Sequence, residues 1–348
     1  MAGKQTKPGE ASLWRKFVGD WRATIRSRAF IVAFGIGSSS GCLGAILYYF
    51  DTTLGWNFLR PAVPSDVVFN VFVMFSSLVA AFRTSHALVR YTDAASYLHK
   101  LSACWFDSAS TLLAFCRASD AAEDEIYKFK QTLIRLISLM SAHSLDSLQG
   151  ANMSMTANGN RFEVLDAQDL DSRTKEVIMS SEHRVECIFQ MIQQLVIDGM
   201  KTKVLSIAPP ILTRSFQDLA SGLLTYHEAK KLACVPLPFA YMVITATILI
   251  CLSVFAPCMM ALYTKGSWST FVYTFGIVFM MWYINGVAEA LSNPFAKESR
   301  TLEASKVQIE LNELLTQLFQ QSTSPSPAYH RPDDRRSLRN SLRSWHSA

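Results

Sequence analysis

A row of residues spaced by four joins bulky apolar side chains to basic ones: Met74, Leu78, Phe82, His86 and Arg90. A step of four residues turns only about 40° around an α-helix, so the five lie on one slowly turning stripe. If several copies met around an axis, the first three would form a hydrophobic constriction, and Arg83, His86 and Arg90 would supply positive potential beneath it. This combination predicts an anion-selective pore. The alternative interpretation is a packed helix whose arginines reach the lipid headgroups.

Other residues that could do chemistry do not form a catalytic or metal-binding set. His183 and Glu186 lie one helical turn apart, but no second such pair accompanies them, so we expect a surface pair on a helix. Ser85 and His86 are adjacent, yet no acid is positioned beside them. Neither a Walker loop nor a GxGxxG loop occurs. The sequence therefore predicts a protein that is not an enzyme and that holds no cofactor and no metal.

Four charge-free stretches indicate the elements that must position the row: residues 29–50, 67–82, 232–264 and 266–288. A charge at the centre of a membrane helix costs roughly 2.5 kcal/mol or more, and a span of the hydrocarbon core takes about 20 apolar residues. Because a soluble domain has no reason to exclude charge from four such stretches, we predict a multi-pass membrane protein. The second stretch is short, and its helical pattern continues into basic residues, as in a helix that faces protein or water.

The basic residues outside these stretches predict the orientation in the membrane. The 348-residue chain has a net charge of +5, with seven Lys or Arg in residues 1–28 and five Arg in residues 321–348, whereas the two short loops hold only Arg60 and Lys265. The positive-inside rule therefore places both termini and the central region in the cytosol or its equivalent, such as a stroma. Plasma membrane and organellar membranes, thylakoids included, both stay open. Nucleic-acid binding is not expected, because no folded motif accompanies the charge.

Between and after the predicted spans the apolar spacing is helical, and strand signals are absent. We expect helices over residues 94–117, 123–148, 174–200 and 298–320, with Pro210 in the first turn of a further helix that runs through Leu232. The glycines and asparagines of residues 149–172 predict a loop. The fold class is thus an all-α membrane protein, with four transmembrane helices per subunit and a large cytosolic helical domain.

This pattern divides the chain into six predicted regions. They are a basic amphipathic segment at the membrane interface, transmembrane helices 1 and 2, a cytosolic helical region, transmembrane helices 3 and 4, a further cytosolic helix, and a disordered basic tail. Their boundaries are residues 1–28, 29–91, 92–232, 233–292, 293–320 and 321–348.

Three short motifs resemble sequences of the bestrophin family. Residues 235–241 read Val-Pro-Leu-Pro-Phe-Ala-Tyr and resemble the start of that family's third membrane helix. Phe82-Arg83, with Arg90 seven residues further on, resembles the second-helix motif FRxxxxxxR, and Asn293-Pro294-Phe295 is similar to the NPF sequence after the last span. The motifs occur in the family's order over roughly residues 12–320, and the likeness is nearest to the plant, algal and bacterial branch.

The resemblance implies a homopentameric, all-helical anion channel for chloride and bicarbonate with one axial pore. In the family, three second-helix residues spaced by four form the pore neck and end at the Phe before the Arg, which corresponds to Met74, Leu78 and Phe82. A lower cytosolic aperture is implied at Val235. The implied partners are inorganic anions, the lipid bilayer and further copies of the chain. The main alternative is a non-conducting membrane scaffold, whereas the paired broken helices of a secondary transporter are not evident.

The family motifs also carry expectations about helix ends and about calcium. We expect Pro236 and Pro238, followed by Tyr241, in the first turn of the third spanning helix, where backbone donors are free, and Pro257 to end or kink that helix. Animal bestrophins follow NPF with a run of acids that forms a calcium clasp. Here lysine and arginine interrupt that run, and calcium needs several converging oxygen ligands. We therefore predict that a calcium clasp is absent or weak in this chain, although two acids remain at Glu298 and Glu303.

Overall fold

The computed structural model describes residues 22, 24–53, 55, 66–150, 162–166, 171–295, 302 and 304–324, and every regular element among them is helical. The α-helices within these residues are α1 Arg28–Tyr48, α2 Asp66–Phe115, α3 Glu123–Leu148, α4 Ser172–Ser180, α5 Arg184–Lys201, α6 Pro209–Cys234, α7 Phe239–Tyr263, α8 Ser267–Ser292 and α9 Ala304–Thr323. A π-helical turn follows α1 and a 3-10 turn follows α2. The predicted interfacial segment lies largely outside the described residues, as does the tail beyond Ser324. The all-α prediction is confirmed.

Four helical segments are long and apolar enough to cross a membrane: Arg28–Thr52, Val67–Ala118, Phe239–Tyr263 and Ser267–Ser292. Their apolar parts coincide with the charge-free stretches, so the protein is an integral membrane protein. The second segment belongs to α2, a single helix of 50 residues. No proline or glycine falls within α2, and it therefore continues without a break past Arg90 and into a polar region.

The first of two compact units comprises residues up to Ala103, Ala142–Phe162 and Ser221–Val307, and so contains α1, α7, α8 and the part of α2 that ends at Ala103. Its most extensive helix pair is α1 with α8. A Cβ atom added at Gly37 would lie 3.0 Å from the Cβ of Phe279, and one at Gly41 would lie 3.0 Å from the ring of Phe271. The missing side chains therefore let the two backbones approach closely, as small residues do at membrane helix interfaces.

Aromatic rings of α8 form a row over this glycine face. Consecutive rings stack nearly parallel, with centroids 5.3–6.1 Å apart. From α1, Phe30 meets Phe279 edge-on and Phe34 meets Phe275 edge-on. Offset stacks and edge-to-face pairs are the favoured geometries of such rings. The members of the row are Trp268, Phe271, Phe275, Phe279 and Tyr283.

Helix α7 is fixed to both α1 and α8 through Ser253. The hydroxyl of Ser40 donates to the Ser253 carbonyl at 2.9 Å, and the indole Nε1 of Trp282 donates to the Ser253 hydroxyl at 2.8 Å. Helices α2, α7 and α8 also share an apolar core: Phe69, Leu252, Ala256, Met259 and Val278. Polar bonds between membrane helices satisfy groups that lipid cannot.

The second compact unit contains Cys104–Ser141, Glu163–Ala220 and the chain from Gln308. Its core is apolar, with fully buried side chains that include Trp105, Leu133, Ile137, Ile188, Ile192 and Leu219. This core also contains a network of buried polar side chains. The Ser138 hydroxyl donates to Asn312 Oδ1 at 2.7 Å, and Gln308 Nε2 donates to the Ser138 carbonyl at 3.1 Å. Asn312 Nδ2 donates to the Glu163 carbonyl at 2.9 Å, which fixes residues 163–166 within this unit.

Two local predictions were wrong, and a third was wrong in part. The helix expected over residues 174–200 is two helices, since the backbone of Ser181 is extended and α5 begins at Arg184. Pro236 and Pro238 precede α7 and do not lie in its first turn, because the residue before a proline avoids the helical region, and Val235 and Leu237 each precede one. Pro257 does not end α7, which continues to Tyr263, and the kink expected as the other outcome stays a prediction.

Candidate functional site

The predicted neck residues lie on the outer surface of the first compact unit. The side chains of Met74, Leu78 and Phe82 are 68%, 51% and 56% exposed, and His86 continues the exposed row. We call these four residues the outward stripe. Exposing several large apolar side chains to bulk water is unfavourable, so the outward stripe faces lipid, another subunit or a narrow pore. Its position towards a shared axis stays a prediction.

The opposite face of α2 is buried and consists mainly of small residues. Its positions recur at seven-residue intervals in two series, which is the repeat expected of a helix face packed on other helices. The side chains are Phe69, Ser76 and Arg83 in one series and Ala80, Ala87 and Ala94 in the other. We call these six residues the inward face. Arginine is the exception among them, and its environment is therefore informative.

The guanidinium of Arg83 is bound inside the subunit. The residue is only 5% exposed, and its Nη1 donates a hydrogen bond to Oδ1 of Asn285 on α8. Its Nε is buried and has no hydrogen-bond partner among the described residues. Arg83 also forms no ion pair with any of them. A buried cation that forms no ion pair and has little contact with bulk water retains part of its positive field.

Arg90 holds the ends of two helices. Its Nη2 donates to the carbonyls of Leu232 at 2.8 Å and Val235 at 2.9 Å, and its Nε donates to the carbonyl of Ser292 at 3.0 Å. Leu232 lies in the last turn of α6, and Ser292 is the last residue of α8. The last carbonyls of a helix have no partner within it, so a basic side chain that reaches them satisfies them.

The three predicted vestibule residues therefore divide into two groups. His86 stays with the outward stripe, whereas Arg83 and Arg90 turn into the subunit. The reason is geometric: four steps of about 40° carry Arg90 roughly 160° from Met74, and adjacent residues such as Phe82 and Arg83 differ by about 100°. The row keeps its four-residue spacing along α2, but its last member, Arg90, contacts the ends of α6 and α8 and does not face outward.

Val235, the predicted aperture residue, lies in the short non-helical segment between α6 and α7. Its side chain is 53% exposed, and its carbonyl is the acceptor for Arg90. Pro238 precedes α7 as its N-cap residue. The hydroxyl of Tyr241 is buried without a hydrogen-bond partner among the described residues. After α8, Asn293 and Pro294 lead to Phe295, which is buried.

Sequence reasoning missed Asn285, which accepts a hydrogen bond from Arg83, and Glu289, which lines a cavity together with both arginines. These two polar residues lie four apart at the end of a charge-free stretch, and that spacing was the signal that could have pointed to them. The acceptors of Arg90 are backbone carbonyls, which every residue carries, so no residue type could have indicated them. Glu298 and Glu303, the acids of the weak calcium clasp, lie outside the described residues. Within the described part, no group of three His, Cys, Asp or Glu could hold a metal ion.

The fold of this chain resembles solved structures over most of its length. A bacterial bestrophin homologue from Klebsiella pneumoniae is 15% identical with a TM-score of 0.66, and the match covers 83% of this chain and 98% of that one. A mutant of that homologue matches with the same values. A crystal structure described only as a membrane protein is 16% identical with a TM-score of 0.66, over 85% of this chain and 99% of the other. At these identities the likeness establishes the fold, which is that of a bestrophin-type membrane protein.

The sequence itself establishes the family. A family profile described as Bacterial/Fungal Bestrophin protein matches residues 29–313. The chain therefore belongs to the bacterial and fungal bestrophin family. No curated protein sequence matches it.

Proposed function

We propose that this protein is an anion channel for chloride, bicarbonate or both, formed by several copies of the chain around one axial pore. The family supports this proposal, because bestrophins are a channel family. The observation that carries it is the outward stripe. Three bulky apolar side chains, spaced by four on a membrane helix, remain exposed in the subunit and are thus available for a constriction between copies.

The electrostatics of α2 favour anions. His86 is exposed one turn after Phe82. Behind the stripe, Arg83 and Arg90 form no ion pair with any described residue, and together with Glu289, which lines the same cavity, they leave a net positive charge. In a low-dielectric wall such charges raise the local anion concentration, even where the guanidinium groups do not touch the permeating ion. The arginines would then act through their field, while the apolar neck restricts passage.

We further propose a homopentamer with both termini on the cytosolic or stromal side. The number five comes from the family resemblance, and the orientation follows from the basic residues at the chain ends. The mass of the detergent-solubilised particle, measured by native mass spectrometry, tests the stoichiometry. We expect five times the subunit mass of 38.9 kDa. A monomer would contradict the shared pore.

The decisive experiment records anion currents from the purified protein in planar bilayers. We expect Leu78→Ala combined with Phe82→Ala to raise anion conductance severalfold, because it removes most of the neck's bulk. A matched control is Ile244→Ala with Ile250→Ala, which removes apolar side chains of α7 that are each 55% exposed. The control should conduct as the unmodified channel does. Equal currents from both double variants would contradict the neck assignment, and no anion flux from correctly assembled protein would favour the scaffold.

A further inference from the structure

A small cavity lies inside the first compact unit, between α2, the segment that precedes α7, and the end of α8. Its volume is about 110 Å³. This is enough for one small ion with a few water molecules. The residues that line it are Arg83, Arg90, Ala233, Pro236, Leu237, Met242, Glu289, Ser292 and Asn293.

Arg83 brings an unused donor to this cavity. Arg83 is only 5% exposed, and its Nε has no hydrogen-bond partner among the described residues. Its single bond within the described residues runs from Nη1 to Asn285. Buried polar groups are nearly always satisfied, so we expect an occupant of the cavity that Arg83 lines to accept this hydrogen bond.

Arg90 brings a second unused donor. Its Nε and Nη2 are occupied by three carbonyls, and these bonds fix the plane of the guanidinium. Nη1 donates no hydrogen bond to any described residue. A guanidinium held by its other nitrogens is preorganised, so little side-chain entropy remains to be lost when an acceptor binds Nη1.

The charges around the cavity favour an anion. Two arginines and one carboxylate, Glu289, give its lining a net positive charge, and Glu289 pairs with neither arginine within the described residues. The cavity also lies at the N-terminal turn of α7, since Pro236, Leu237 and Met242 line it. The N-terminus of a helix carries partial positive charge and adds to the attraction.

We propose that this cavity is a binding site for one small anion, a halide or a planar oxyanion such as nitrate or bicarbonate, held by Arg83 Nε and Arg90 Nη1. The site lies within a single subunit and away from the outward stripe. It does not rest on the proposed axial pore, because binding is measured without conduction. The bound anion completes the contacts of Arg83 and so stabilises the ends of α6 and α8 that Arg90 holds. The phosphate of an anionic lipid offers the same chemistry, but the small volume favours the free ion.

The first test locates the ion. Crystals of the full chain are grown or soaked in bromide, and anomalous scattering is collected at the bromine edge. We expect one anomalous peak per subunit inside the cavity, next to both guanidinium groups. A data set of comparable quality without a peak there would overturn the proposal.

The second test measures binding by thermal unfolding in nanodiscs of zwitterionic lipid, with nitrate replacing gluconate at constant ionic strength. We expect a saturable rise in unfolding temperature. Glu289→Gln should lower the half-saturating nitrate concentration roughly threefold or more, because one negative charge near the ion is removed. Glu313→Gln, an exposed acid in the second unit, is the matched control and should leave that concentration unchanged.

Variants of Arg83 complete the test. Arg83→Gln should abolish the saturable response, and Arg83→Lys, which keeps the charge but loses the Nε donor, should weaken it. Weaker nitrate binding by Glu289→Gln would overturn the proposal even if the Arg83 variants failed to fold, because it would indicate a cationic occupant. Stabilisation that appears only when anionic lipid is added, with no response to nitrate, would also overturn it and would assign the site to a headgroup.

Discussion

The outward stripe and the inward face of α2 reverse the usual distribution of side chains. On the outward stripe, apolar residues are exposed, whereas on the inward face a charged residue, Arg83, is almost fully buried. Phe82 and Arg83 are neighbours in sequence but differ more than tenfold in exposure, at 56% and 5%. In a soluble subunit this would be unfavourable on both faces. The difference indicates that one face is completed by something outside the subunit, and that the other is completed by hydrogen bonds within it.

The comparison separates two kinds of residue that the spacing alone had joined. Members of the outward stripe should matter for permeation and little for the stability of the subunit. Arg83, Arg90 and the residues they contact should matter first for stability and for the position of Val235. Three substitutions, in decreasing order of their expected effect on stability, test this division.

The largest effect is expected for Arg90→Ala. The change leaves the carbonyls of Leu232, Val235 and Ser292 without their donor, and hydrogen bonds from charged groups contribute about 1.5–3 kcal/mol each. We expect a loss of about 3 kcal/mol or more in unfolding free energy and faster hydrogen exchange between α6 and α7. Thermal unfolding and exchange mass spectrometry measure the two. Arg214→Ala, whose exposed side chain lies 3.9 and 4.0 Å from two carboxylates, should change stability by less than about 0.5 kcal/mol.

A smaller effect is expected for Asn285→Ala. This change removes the acceptor of Arg83 and leaves a buried guanidinium without a partner inside the subunit, which costs about 1–3 kcal/mol. Thermal unfolding in low-anion buffer measures the loss. Because the cavity ion would become the remaining partner of Arg83, the loss should shrink when nitrate is added. A loss that is identical with and without nitrate would separate Asn285 from the proposed anion site.

The smallest effect on stability is expected for Leu78→Ala, although the conductance should change. An exposed leucine makes few contacts within the subunit, so the unfolding free energy should fall by less than about 1 kcal/mol. Leu133→Ala in the second unit is the reference, because truncation of a fully buried leucine costs about 2–5 kcal/mol. If Leu78→Ala destabilised as strongly as Leu133→Ala, the side chain would be packed against protein, and the outward stripe would not line a pore.

The sequence was sufficient for the spans and for the outward stripe, because both depend on apolar composition and spacing. Exclusion of charge from four stretches of sufficient length has no common explanation other than a membrane, and an unbroken run without Pro or Gly makes α2 continuous. The same spacing also placed Met74, Leu78 and Phe82 on one face. These properties are local, so they can be predicted before any tertiary contact is known.

The sequence was not sufficient for the directions of Arg83 and Arg90. Both are basic residues on or next to a row that turns slowly around the helix. Contacts with α6 and α8, which the sequence does not reveal, decide where their side chains lie. The acceptors of Arg90 are main-chain carbonyls at the ends of α6 and α8 and in the segment before α7, and every residue type carries such a carbonyl. Nor did the sequence show that Glu289 lines a cavity together with Arg83 and Arg90, because that depends on the fold.

The close packing of Gly37 and Gly41 of α1 against the aromatic row of α8 also has a consequence for membrane insertion while the chain is being synthesised. Tyr48 and Ser267 are separated by 218 intervening residues. At about 5–20 residues per second, a ribosome needs roughly 10–45 s to make that length. During this interval α1 has already been inserted, while the rings that will cover its glycines do not yet exist. Lipid chains, or an insertase that shelters small-residue grooves, must occupy that surface until the fourth span arrives.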